Sequence, residues 1–187
     1  ELCDEINNRL SLLSSDVSGV LVRRNIIFQG KLIKYGGIKT KVLRLFRYGI
    51  GKCENSWMDE HIKVAGKTIQ FNGELIDNNL HSLTWWINKH NNYASREAIN
   101  LLNLEYKFIT FDGEDQLSLD SHIRGKRWLK EWIYLNLPAG LRVFIYFFYR
   151  YVIRFGVFDG NAGMSFHFLQ GFWYRYLVDL KVAEVKK

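Results

Sequence analysis

Cysteine, proline and long uncharged apolar runs are all scarce in this chain of 187 residues, and each scarcity removes a class of protein. Cys3 and Cys53 stand alone, with no CxxC pair and no histidine-rich spacing, so neither a zinc site nor a disulfide framework is indicated. A reducing compartment is the default for such usage. Pro138, the only proline, fits the first turn of a helix. The uncharged stretch from Val143 to Tyr149 is far short of the roughly 20 residues that a membrane-crossing helix needs, and Arg142, Arg150 and Arg154 punctuate the region. No internal repeat or low-complexity tract interrupts the chain. It opens at Glu1 without a methionine or an apolar leader pattern, and the expectation is that more chain lies upstream.

What is present is a full hydrophobic complement. Hydrophobic residues make up 48% and charged ones 24%, which suits a folded domain with a real core. Aromatics reach 16% and crowd toward the C-terminus, so that end needs its own explanation. The net charge of +7 suits an anionic partner: nucleic acid, anionic lipid or a phosphate-bearing substrate.

Leu2, Ile6, Leu10 and Leu13 recur at helical spacing and predict a short amphipathic helix ending near Ser14-Ser15. Val17 to Phe28 is rich in β-formers and predicts one strand or a bent pair, followed by a loop from Gly30 to Gly37. Lys67 to Phe71 predicts another strand, with a hairpin through Gly66 and Gly73. From Leu80 to about Leu104 the period becomes helical, and Asn91-Asn92 predicts a break into two helices with Asn92 capping the second. Lys89, His90 and Tyr93 cluster at that break as a compact group of donors. Phe111 to Asp115 marks a boundary, beyond which Ile123 to Lys130 is strongly basic and two aromatic runs flank Asp159-Gly160-Asn161. The runs suit helices lying in a membrane interface, with Phe147, Phe148 and Tyr151 entering the lipid and Arg142, Arg150, Arg154 and Arg175 meeting headgroup phosphates. Aromatics bunched in apolar helical runs, instead of spread over a strand face, argue against nucleic acid.

The chemistry is expected in LRLFRYGIGKCENSWMDEH, Leu43 to His61. Apolar residues alternate there with Arg44 and Arg47, as in a half-buried strand, until Gly49 and Gly51 break the pattern. Asp59, Glu60 and His61 follow on consecutive residues. In an extended segment alternate side chains point to opposite faces, so only one of the two acids can face a given cleft.

Three blocks in order, FQGKLIKYGGIKTKVLRLFRYGIGKCENSWMDEH, DNNLHSLTWWINKHNNYASREA and LPAGLRVFIYFFYRYVIRFGVFDGNAGMSF, together resemble the C-terminal half of bacterial family 2 glycosyltransferases of the lipopolysaccharide-core and exopolysaccharide type. The resemblance implies an α/β fold: a partial GT-A, Rossmann-like sheet over residues 1–112, followed by aromatic, basic membrane-surface helices over 113–187. It implies a nucleotide-sugar donor, a lipid-linked or membrane glycan acceptor, and a peripheral location on the cytoplasmic face of the bacterial inner membrane. A divalent metal, Mg or Mn, would be held by an Asp-x-Asp motif upstream of Glu1, so the chain would be a fragment with no metal ligands of its own. The family's acidic pair falls on Asp59 and Glu60, with Glu60 the base and Asp59 orienting the acceptor. Arg44, Arg47, Lys89 and His90 would supply positive charge toward the leaving diphosphate, and His61 and Tyr93 would complete the substrate contacts.

Overall fold

The computed structural model describes residues 1–53, 61–108 and 137–187. The chain is mixed α/β. Helix α1 (Leu2–Arg9) leads through a short 3-10 turn into strand β1 (Val17–Phe28), the axis of the sheet. Strands β2 (Lys31–Ile33) and β3 (Thr40–Phe46) both pair antiparallel with β1, β2 at Ile26 to Phe28 and β3 at Gly19 to Arg24. Strands β4 (Gly51–Cys53) and β5 (Ile62–Val64) form a separate antiparallel pair that touches β3. Strand β6 (Lys67–Asn78) then runs parallel to β1, from Val17↔Lys67 to Ile27↔Asn78. It is the one parallel pairing among the described strands.

Two strand expectations are corrected. The segment 30–37 is not wholly loop, because Gln29 and Gly30 turn at positive φ and fold β2 back onto β1. Nor does the chain reverse at Gly73, since β6 passes straight through it. Glycine is required there because a Cβ would lie 2.6 Å from Leu2 Cα, where α1 rests on the strand. The Glu5 carboxylate accepts the Gly73 N–H at 2.8 Å. Gly66, at φ +112°, does make the turn into β6.

Helix α2 is continuous over Leu83–Tyr106, which corrects the expected break. Ser82 caps it, its Oγ accepting from Trp85 N at 3.2 Å, so Asn92 is an interior residue. Each asparagine costs at most about 0.7 kcal/mol in a helix. Trp86, Ala94, Ala98, Leu101 and Leu102 are buried along the helix, and that packing outweighs the penalty.

Helix α3 (Leu141–Phe148) continues into a π-helical segment, Tyr149–Ile153. Pro138 lies just ahead of α3, its carbonyl accepting from Arg142 N at 3.3 Å, instead of inside the first turn. After a 3-10 turn (Gly156–Asp159), helix α4 (Gly160–Phe166), a second π segment (His167–Trp173) and helix α5 (Tyr174–Val185) form one continuous rod. No helix among the described residues is long and apolar enough to cross a membrane.

Three apolar clusters hold these parts together. Val20, Val22 and Phe71 pack with α1 under the sheet, each worth roughly 1.5–3 kcal/mol of burial. Phe28, Ile33, Trp86, Ala162 and Phe166 join the sheet to α2 and α4. Ala94 and Ala98 of α2 let Tyr174, Val178 and Val182 of α5 approach closely. The buried acids of this helical layer are paired, as burial of charge demands: Asp179 accepts from Arg142 Nε at 3.0 Å, and Glu97 from Arg175 at 3.3 Å. The expected boundary at 111–115 lies outside the described residues.

Candidate functional site: a basic pocket beside a buried histidine

The residues singled out in the sequence fall at two places. Arg44 is exposed on β3, and His61 is exposed at the start of β5. Arg47 follows β3 and is engaged with backbone, donating from Nε to Val17 O at 2.8 Å and from Nη2 to Ser14 O at 3.0 Å. Arg44 and Arg47 belong to the end of the sheet where Phe46 faces Gly19, and His61 adjoins the separate β4–β5 pair that touches β3. Asp59 and Glu60 fall between β4 and β5 in sequence and lie outside the described residues.

Lys89, His90 and Tyr93 sit on α2, where Trp86 packs against Phe28 at the opposite end of β1. Nine residue steps along the strand separate Gly19 from Phe28, roughly 30 Å. The His90 ring stacks on Trp86 at 3.5 Å, and its Nδ1–H donates to the Trp86 carbonyl at 2.9 Å. Burial holds its pKa below the usual range, so the ring is neutral near pH 7. Lys89 Nζ lies 4.7 Å from the Trp85 ring centre and 5.5 Å from that of Tyr93. The donor group is thus largely occupied within its own helix.

A different set of residues converges where the loop after β2 meets the two π segments. His167 is fully buried, set in a slot floored by glycine: a Cβ on Gly36 would lie 2.1 Å from its Cε1, and one on Gly156 2.7 Å from its Nε2. The buried Arg150 guanidinium donates to Gly36 O at 3.3 Å, and Gly36 N–H donates to Arg154 O at 2.9 Å. The Asp159 carboxylate accepts the backbone N–H groups of Lys34 and Tyr35, both at 2.9 Å. Loop 34–37 is therefore clamped by side chains of the helical pair. Two wide π turns are what bring Arg150 and His167 to the same point; such turns often mark functional places in helices.

Burial, then the neighbouring Arg150 charge, push the His167 pKa down to about 4; Asp159, 3.8 Å from Nε2, opposes the shift without cancelling it. Below pH 6.5 the unfolded chain takes up a proton that the folded one refuses. The stability this histidine leaves intact above pH 6.5 is lost as pH falls toward 4, by about 3 kcal/mol over the window. Urea unfolding at pH 7 and pH 4.5 should show that loss in the wild type and a smaller one in His167→Gln. An identical pH dependence in both would remove His167 as its source.

Beside this clamp lies a cavity of about 460 Å³ between loop residues 34–39 and the end of the first π segment. Lys34, Lys39 and Arg154 line it, and among the described residues no acidic side chain does. Tyr35, Ile153 and Phe155 supply its apolar wall. Sequence reasoning flagged the loop and the arginines but missed His167 and Asp159 as partners; the one available signal was Gly36-Gly37 amid lysines.

Comparison with family models, with curated proteins and with solved structures yields no match. Among the described residues no group of three or more His, Cys, Asp or Glu is placed to hold a metal. The resemblance places the ligands of its divalent metal upstream of Glu1.

Proposed function

We propose that this chain is the acceptor-side part of an inverting, nucleotide-sugar-dependent family 2 glycosyltransferase. It acts at the cytoplasmic face of the bacterial inner membrane on a lipid-linked or membrane glycan. The observation that carries the reading is the order of the three sequence blocks: a basic glycine loop and arginine-bearing strand followed by Asp59-Glu60, the segment from Asp77 to Ala98 that carries Lys89, His90 and Tyr93, and an aromatic-basic helical pair. In this reading β1 and β6 are the parallel remnant of a GT-A sheet whose other strands, nucleotide pocket and metal-binding motif belong to upstream sequence. The pair is compatible with that arrangement without requiring it.

The reaction then needs few parts. An acceptor hydroxyl attacks the anomeric carbon opposite the diphosphate, Glu60 takes its proton as the new C–O bond forms, and the bond to the nucleoside diphosphate breaks. Asp59 orients the acceptor. The exposed Arg44 is available to the leaving group, whereas Arg47 already holds two carbonyls.

The outer face of α3 supports the membrane part. Leu141, Phe144, Ile145, Phe148 and Val152 recur at helical spacing and are each 43–56% exposed, the reverse of a helix whose apolar side faces a core. Phe147 and Tyr151, expected to enter lipid with Phe148, instead face inward, Phe147 against Phe168 and Phe172 and Tyr151 against His167. The test is release of nucleoside diphosphate from a panel of nucleotide sugars by this chain joined to its natural upstream residues. Release should rise severalfold when membrane lipid extract is added; a folded protein that turns over no donor under any condition leaves only a non-catalytic membrane-surface module.

A further inference from the structure

The geometry points to a discrete binding site for an anionic phospholipid headgroup in the pocket formed by Lys34, Lys39 and Arg154, a proposal that rests on the membrane-surface part of the reading above. Three cations of one pocket come from two separated segments, with no carboxylate among the described lining residues to neutralise them. Asp159, which contacts this loop, spends both oxygens on the Lys34 and Tyr35 N–H groups and so fixes the segment that carries two of the three cations. A phosphodiester would offer these cations the charge they lack and several acceptor oxygens.

The surroundings choose a lipid over a free phosphate. Tyr35, Phe158 and Phe155 form a chain of rings with centres 5.9 Å apart, and they are 41%, 69% and 57% exposed. Tyr35 and Phe155 belong to the pocket wall itself, so apolar surface borders the cationic cavity. The exposed stripe of α3 runs through Val152 to Ile153 on the same wall. Rings at the acyl boundary with cations at phosphate depth is the arrangement an interfacial protein needs. A soluble phosphate ligand would gain nothing from that exposed apolar rim.

The experiment is co-sedimentation of the full chain with vesicles of phosphatidylcholine alone and of phosphatidylcholine with phosphatidylglycerol. Two charge-matched triple variants are compared: Lys34→Gln/Lys39→Gln/Arg154→Gln, and Lys41→Gln/Lys52→Gln/Lys187→Gln, whose residues are exposed and line no part of the pocket. All six side chains are at the surface, and thermal melting confirms that both variants fold. The pocket variant should lose about 100-fold in affinity for the anionic vesicles, the control less than about fivefold, and neither should change on neutral ones. Equal losses in both variants would reduce the effect to general charge attraction and overturn the site. Wild-type binding that does not distinguish the two vesicle types would also overturn it while leaving the membrane reading in place. No binding to either vesicle would sink the membrane reading itself. Inorganic phosphate is the last arm: displacement of the wild type from anionic vesicles at millimolar phosphate and constant ionic strength would assign the pocket to a free anion instead.

Discussion

Replacing Glu60 by glutamine should lower the proposed sugar-transfer turnover by about 100- to 10,000-fold while donor binding stays within about twofold. Glutamine keeps the shape of the side chain and cannot accept the acceptor's proton. The loss therefore falls on kcat, because proton transfer matters in the transition state and not in the ground-state complex. Asp59→Asn should instead raise KM for the acceptor more than it lowers kcat, as befits an orienting group. Steady-state kinetics on the two variants separates the roles. A Glu60→Gln enzyme with more than half the wild-type rate would move the base to Asp59 or away from the pair.

Gly36→Val should destabilise the fold by about 4 kcal/mol, through two effects that act at one atom. The backbone there sits at φ +79°, a conformation that costs a side-chain-bearing residue about 1–3 kcal/mol. A Cβ would also enter the His167 ring at 2.1 Å, with a further overpacking cost of about 1–3 kcal/mol. For a chain of this size the melting temperature should fall by about 8–16 °C. Adding His167→Ala should return part of the loss, since it empties the slot the valine needs. Gly30→Val, also at positive φ but with nothing within 4 Å of its Cβ, should cost less. If Gly36→Val and Gly30→Val melt together, the clamp between loop 34–37 and the helical pair does not contribute as described.

Much of the local structure was legible from the residues. The β-rich run of β1 and the alternation of β3 state their period in a few positions, and α1 shows its apolar stripe openly. The pairing of β1 with β6 was not legible, because it joins segments about 50 positions apart and nothing in either one names its partner. Asn91-Asn92 misled because a local signal was read without the packing of Ala94 and Ala98 that overrides it. Gly73 misled for a related reason: it serves a close approach by Leu2, which local sequence cannot distinguish from a turn. For the site, the loop and its arginines were visible as composition. The meeting of Gly36, Arg150, Asp159 and His167 depends on two π segments, and no period in the sequence announces a widened turn.

The proposed sugar transfer to a membrane-held glycan is read out most directly by the destination of the sugar. The protein, joined to its natural upstream residues, is incubated with labelled nucleotide sugars and bacterial inner-membrane vesicles, and the label is counted in the lipid-extractable and aqueous phases. Label should enter the lipid phase for at least one donor, at a rate that falls about 100-fold or more in Glu60→Gln. Label that stays wholly aqueous with every donor, or enters lipid equally well with the variant, would contradict the proposed transfer.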